Sequence, residues 1–195
     1  MRTRVGRAVA LAFVAVVAGC AHVPLTTLYE LWKFDAASAD PAAIRAAIRV
    51  PESLAPRPHG ARLVLSRGAP ADPARKEWKF DLEDVRDANE LDALTRFRRD
   101  GYPIFVFKLS DADVAEVRKV QAELRRNAAN ARVNLGVSLD ACRRGKLPEG
   151  ALLSSTYLKL DRAAGYLPVV EDIDLRKEMG QEATLAERVP PCESF

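Results

Sequence analysis

Histidine is scarce in this chain of 195 residues, which has only His22 and His59. Two histidines supply neither a serine–histidine–aspartate triad nor a histidine metal cage well. The sequence also lacks the zinc-protease, nucleotide-loop, calcium-loop and nucleophile-elbow motifs of common enzyme classes. We therefore expect no catalytic residue, no metal and no cofactor. His59, which lies in a proline-rich stretch, is interpreted as a solvated loop residue.

Long hydrophobic runs are lacking as well. The apolar block at residues 8–18 follows Arg2, Arg4 and Arg7 and is eleven residues long. As a helix it would measure about 16 Å, whereas the hydrocarbon layer of a membrane is about 30 Å thick. The block is too short to span a membrane, and no later run is long enough either. A basic start followed by a short apolar core is typical of a signal peptide.

The block ends in Val17-Ala18-Gly19-Cys20, which resembles the lipobox of bacterial lipoproteins. The resemblance covers only the first twenty or so residues. It implies cleavage between Gly19 and Cys20 and lipid attachment to the Cys20 sulfur. Ala21 follows Cys20, at the position where lipoproteins retained in the inner membrane often carry aspartate. The resemblance therefore implies that this chain is anchored at the periplasmic face of the outer membrane. The alternatives are an incidental thiol beside an ordinary cleavage site, and a buried helix at residues 8–18.

The domain prediction is a signal peptide at 1–19, a lipid anchor with a short tether at 20–27, and one globular domain at 28–195. A fully extended tether of seven residues reaches about 25 Å.

The signal segment holds three arginines and no acidic residue, so the remaining chain has 27 basic and 27 acidic side chains. This neutral balance argues against a nucleic-acid partner. The expected partners are the membrane, through the anchor, and an envelope protein.

Cysteine is equally rare, with three in the chain. Apart from Cys20 there are Cys142 and Cys192, and an exported protein meets an oxidising compartment where such a pair tends to join. We predict a disulfide that ties the C-terminal tail to the end of a strand. Its closed loop of about 50 residues would stabilise the fold by about 4 kcal/mol. The alternative is two unpaired thiols.

Period-two alternation dominates the rest of the chain and predicts strands at 61–66, 78–85, 103–109, 132–141, 151–161 and 166–170. Residues 103–109 are apolar on both faces, which is typical of a central buried strand. The segments 51–58 and 68–73 are predicted as loops because of their proline or glycine content. Residues 40–51 begin as a helical turn, and whether they continue as helix or strand stays open.

One longer helix is predicted after Ser110, which acts as N-cap with Asp113 at the reciprocal position of a capping box. Asp87 and Glu90 resemble a capping box before a short helix. From Asp111 to about residue 128 an apolar stripe recurs every three or four residues, and core packing is favoured over membrane-surface binding. The fold class is α+β. It comprises an antiparallel sheet of about six to seven strands, sandwich- or barrel-like, packed with one long amphipathic helix.

Two acidic clusters are the remaining candidates for chemistry: Asp81, Glu83 and Asp84, and then Glu171, Asp172 and Asp174. Paired carboxylates suit cation binding or glycoside hydrolysis. Solvated or capping roles are favoured, with Asp172 as N-cap of a short helix that ends at Gly180. The basic tip at residues 143–146 is interpreted as a solvated loop, with contact to lipid phosphates as the alternative.

The leading functional hypothesis is a non-enzymatic, membrane-anchored protein-interaction module of the cell envelope. The first alternative is a carrier of an apolar or lipid ligand near Phe105, Phe107, Trp78 and Tyr157. The second alternative is a cell-envelope hydrolase that uses the acidic residues.

Overall fold

The computed structural model describes residues 27, 31, 33–68, 72–73, 75–126, 133–179 and 189–194. Gly19 and the rest of the predicted signal peptide lie outside these residues, as do the predicted lipid anchor Cys20 and His22. The described strands are β1 (Arg45–Arg49), β2 (Leu54–Arg67), β3 (Lys76–Val85), β4 (Ile104–Leu109), β5 (Val133–Arg143), β6 (Leu153–Lys159) and β7 (Leu167–Asp174).

These seven strands form one antiparallel sheet in the order β5-β2-β3-β4-β1-β6-β7, curled into a half-barrel. The predicted antiparallel sheet and its strand number are confirmed. β4 occupies the middle position, as its two apolar faces predicted. Its Phe107 pairs with Ala46 of β1, which in turn pairs with Leu158 of β6.

The inner face of the sheet, which carries Leu63, Phe80 and Phe107, holds the main hydrophobic core. The helix α2 (Asp111–Arg126) packs onto this face through its buried residues Val114, Val117, Val120, Gln121 and Leu124. Alternation along each strand places apolar side chains on this face at every second position. Of the two hydrophobic clusters among the described residues, the one on this face is the larger.

The outer face is also covered over β1, β4 and β6. A second cluster joins Ala47, Val106 and Tyr157 to Leu94 and Tyr166. The covering segment comprises the short helix α1 (Ala88–Asp92) and a 3-10 turn at Thr95–Phe97. The central strands are therefore buried on both sides, which explains why the sequence of β4 shows no polar face.

The structure corrects one predicted loop and resolves one segment that the sequence left open. The proline-rich stretch at 51–58 was expected to be a loop, but β2 already begins at Leu54 and passes through Pro56 and Pro58. The prolines are tolerated because β2 departs from its register with β5 between Pro56 and Ala61. The ambiguous segment 40–51 contains a 3-10 turn at Pro41–Ala43 followed by strand β1.

Helix α2 begins as its cap predicted, because the Ser110 hydroxyl oxygen accepts the Asp113 backbone N–H at 3.0 Å. Its last residue is Arg126, and the predicted extension to residue 128 lies outside the described residues. The Gln121 side chain donates to the carbonyl oxygens of Ala36 and Ala39 at 2.9 and 2.8 Å. The segment that precedes the sheet is thereby tied to α2.

Candidate functional site

A cleft of about 340 Å³ lies at the end of the inner face that α2 leaves uncovered. We call it the bulge cleft, and it is lined by residues 55–61 of β2, by Leu82, Asp84 and Arg86, by Phe105 and Phe107 of β4, and by Arg144. Helix α2 covers the opposite end, where Lys76 Nζ contacts Glu123 Oε1 at 2.6 Å. The half-barrel is therefore filled at one end and hollow at the other.

The wall of the bulge cleft is a large bulge in β2. Between Pro56 and Ala61 the strand advances five residues while its partner β5 advances two, so β2 contains three extra residues. His59 adopts φ 55°, in the left-handed region that few residues other than glycine occupy. A Cβ on Gly60 would lie only 2.5 Å from the carbonyl oxygen of Asp140, so close approach of β2 and β5 requires glycine here.

The floor of the bulge cleft is apolar and its mouth is basic. Leu82 and Phe107 are buried, whereas Phe105 is half-buried. His59, Arg86 and Arg144 are exposed at the mouth. Aromatic rings below and guanidinium groups above suit a ligand with an apolar part and an anionic part.

This arrangement corrects the predicted apolar site, which grouped four aromatic residues. Phe105 and Phe107 lie together on the inner face. Tyr157 lies on the outer face, where it stacks on Phe97 with ring centroids 4.3 Å apart. Trp78 pairs with Leu65 at the opposite end of β3, beside Lys76. The strand periodicity was correct, but the pairing register separates these residues.

The first acidic cluster does not converge on a common point. Asp81 accepts a hydrogen bond from Arg62 Nε at 3.2 Å, and Arg62 also reaches Asp140 at 3.0 Å. Asp84 accepts from Arg86 Nε at 2.9 Å within the bulge cleft. Glu83 lies opposite Lys108 in the register of β3 and β4. Three strands separate this cluster from the one on β7, so the two acidic groups cannot act together on one bond.

Asp172 in the second acidic cluster has a different role from the predicted N-cap. It lies within β7 at φ 50° and accepts from Arg49 Nη2 at 2.7 Å. Arg49 is 9% exposed and also donates to Ser155 Oγ and to the Phe97 carbonyl oxygen, at 2.9 and 2.8 Å. The residue that caps the following helix α3 (Leu175–Met179) is Asp174, whose side chain accepts the Arg176 N–H at 3.1 Å.

A further polar cluster on the outer face surrounds Glu90. This carboxylate accepts from Lys159 Nζ at 3.2 Å and from the Tyr166 hydroxyl at 2.9 Å, and Arg45 Nε lies 3.6 Å away. Burial of the Tyr166 ring, together with the neighbouring Glu90 carboxylate, raises the pKa of Tyr166 above its usual range. Glu90 thus links α1 to the sheet and does not close the predicted capping box, although the Asp87 side chain accepts the Asn89 N–H as an N-cap does.

The predicted cysteine pair is brought together. Cys142 near the end of β5 and Cys192 lie at disulfide distance, with sulfur atoms 2.09 Å apart. The backbone N–H of Arg143 also donates to the Pro190 carbonyl oxygen at 2.9 Å, so the tail runs beside β5. The basic tip that follows, which was expected to be a solvated loop, contributes Arg144 to the bulge cleft.

Sequence reasoning missed the bulge cleft as a whole. Two prolines and a glycine between alternating apolar residues are a signal for a bulge, and Pro56-Arg57-Pro58-His59-Gly60 carries that signal. A wider cleft of about 500 Å³ lies over α1, but its lining carries charges of both signs, including Glu52, Arg99 and Asp100. Its two arginines, Arg98 and Arg99, are balanced by two acidic residues, Glu52 and Asp100, so the lining has no net positive charge.

Among the described residues, no group of three or more histidine, cysteine or acidic side chains is placed to hold a metal ion. No helix in the described ranges is long and apolar enough to cross a membrane. Comparisons of the chain with protein-family models, with curated proteins and with solved structures found no significant match.

Proposed function

We propose that this chain is a lipid-anchored envelope protein that binds a partner and does no covalent chemistry, at the periplasmic face of the outer membrane. The observation that carries the proposal is the burial of Thr27, which is 1% exposed. Thr27, which lies seven residues after Cys20 in the sequence, is therefore part of the folded body. Seven extended residues span about 25 Å, so an anchor at Cys20 would hold the body close to the bilayer.

The segment after Thr27 supports the same conclusion. Leu31 and Phe34 pack against the main core, and Gln121 binds the backbone at Ala36 and Ala39. Because the described residues of this segment are docked onto the core and α2, they do not add a flexible arm to the tether. Contacts made by the protein would be confined to the membrane surface and to partners that lie within reach of it.

The anchor and its membrane are tested by fractionation. We expect the wild-type chain to incorporate labelled palmitate and to sediment with outer membranes. Cys20→Ala should lose both properties, whereas the Cys142→Ala/Cys192→Ala control should keep the label. Ala21→Asp should move the protein to the inner membrane, as the resemblance to lipoproteins implies. Membrane association and labelling that persist in Cys20→Ala would refute the anchor.

The protein-contact role is tested by crosslinking in cells, followed by affinity recovery of the anchored chain. We expect a reproducible envelope protein with the wild type. A flexible spacer of about 20 residues inserted after Ala21 would lengthen the tether by about 25 Å on average. It should weaken that crosslink while leaving the anchor intact. If no protein is recovered reproducibly from the anchored form, the interaction role fails.

A second candidate function, carriage of an apolar ligand, is favoured by the bulge cleft. Its volume of about 340 Å³ falls within the range of small-molecule sites, and Phe105 and Phe107 provide an aromatic floor. In this proposal α2 acts as the amphipathic helix that closes one end of the half-barrel and leaves the other end for the ligand. Native mass spectrometry of the chain purified from its own membrane tests it, because protein free of any co-purified lipid would contradict it.

A further inference from the structure

We propose that the bulge cleft binds an anionic single-chain amphiphile, with the acyl chain on Phe105 and Phe107 and a phosphate or carboxylate headgroup at the arginines of its mouth. This inference rests on the second candidate function, since it names the chemical class of the carried ligand. The proposed anchor and the protein-contact role do not depend on it.

The net positive charge of the lining residues favours an anionic ligand. Three arginines, Arg57, Arg86 and Arg144, and one carboxylate, Asp84, line the bulge cleft, so its formal charge is +2 with His59 neutral. The carboxylate is hydrogen-bonded to Arg86 at 2.9 Å, so this ion pair neutralises one of the three arginines and the formal charge of +2 remains. Guanidinium groups match the planar geometry of carboxylate and phosphate oxygens and bind them through paired hydrogen bonds.

The apolar floor favours an amphiphile over a small anion that has no acyl chain. Phe105 is half-buried and keeps apolar surface that inorganic phosphate would leave in contact with water, whereas Phe107 and Leu82 beside it are already buried. An acyl chain that packs against Phe105 gains about 0.8 kcal/mol for each of its own methylenes that leaves water. The volume of about 340 Å³ is at the small end of ligand sites, which favours one chain over two. A membrane within about 25 Å of the body would supply such amphiphiles.

The test uses the full-length chain in a non-ionic detergent and native mass spectrometry as the readout. The probes are lysophosphatidylglycerol, which is anionic, and lysophosphatidylcholine, which has the same chain but no net charge. Inorganic phosphate serves as the headgroup without a chain. We expect a one-to-one adduct with the anionic probe, at least fivefold preference over the neutral probe, and weaker binding as ionic strength rises.

Two exposed arginines provide a matched pair of variants. Arg86 is 91% exposed and pairs with Asp84 at the bulge cleft, whereas Arg118 on α2 is 61% exposed and pairs with Asp40 far from it. Arg86→Gln should lower the affinity for the anionic probe about fivefold, which corresponds to the loss of one charge-assisted contact of about 1 kcal/mol. Arg118→Gln should leave its affinity unchanged. Neither exposed side chain contributes enough to folding for its loss to prevent purification.

Several outcomes would overturn the inference. Equal affinity for the anionic and neutral probes, or equal effects of the two arginine variants, would refute the headgroup site. Binding of inorganic phosphate as tightly as lysophosphatidylglycerol would refute the role of the apolar floor. If neither lysophospholipid forms an adduct but another lipid co-purifies with the chain, this ligand class is wrong and the carrier function still stands.

Discussion

Removal of the Cys142–Cys192 disulfide should destabilise the fold by about 4 kcal/mol. The bond closes a loop with a sequence separation of 50 residues. In the chain-entropy model, a closed loop of about 50 residues removes about 14 cal/mol/K from the unfolded ensemble, which is about 4 kcal/mol at room temperature. For a chain of this size, each kcal/mol shifts the melting temperature by about 2–4 °C, so we expect a decrease of about 8–16 °C.

The assay is guanidinium unfolding of the full chain in a non-ionic detergent, followed by tryptophan fluorescence and circular dichroism. The Cys142→Ala/Cys192→Ala variant is compared with wild type in the presence and absence of reductant. Reduced wild type and the variant should unfold at similar midpoints, both well below that of the oxidised protein. If the free energy of unfolding falls by less than about 1 kcal/mol on reduction, the loop-closure reasoning is refuted.

Three further predictions concern the backbone and the polar clusters. Gly60→Ala should lower the free energy of unfolding by about 2 kcal/mol in thermal melts, because the added Cβ would lie 2.5 Å from a β5 carbonyl oxygen. In the control Gly136→Ala the added Cβ meets nothing within 4 Å, so its free energy of unfolding should stay within about 1 kcal/mol of wild type. Asp172→Asn keeps a residue that tolerates positive φ but removes the carboxylate from Arg49, and should cost about 2 kcal/mol in urea unfolding; unchanged stability would contradict that pairing. The raised pKa of Tyr166 means that its contribution to stability is complete below pH 10.0, the usual pKa of tyrosine, and is lost as pH rises beyond it. Urea unfolding between about pH 8 and 11 should show this loss, and Tyr166→Phe should make it shallower.

Most of the sheet could be predicted because strand alternation is a local property of the sequence. Residues 132–141 alternate without interruption, and β5 occupies Val133–Arg143. The N-terminal half of β2 was missed because Pro56 and Pro58 are strong local signals against a strand. Only the long-range pairing with β5 and the bulge between Pro56 and Ala61 make those prolines compatible with extended structure.

The bulge cleft could not be predicted from the sequence for a related reason. Its lining comes from β2, β3, β4 and the tip after β5, which are distant in sequence and meet through the curl of the sheet. Asp172 illustrates the same limit on a smaller scale. Its position before a short helix predicted an N-cap, whereas an irregularity in the pairing of β6 and β7 places it beside the buried Arg49.

The sheet is covered on both faces at its centre but on one face near β5, and this difference should affect how fast the backbone amides of each strand exchange. β1, β4 and β6 lie between the two hydrophobic clusters, so their amide hydrogens should exchange only when most of the domain opens. β5 is an edge strand among the described residues, and the bulge interrupts its pairing with β2, so we expect local openings there to need less free energy than opening of the whole domain. We therefore expect the amide hydrogens of the bulge in β2 to exchange faster than those of the floor on β4. A bound molecule would change the amide exchange of the wall far more than that of the floor.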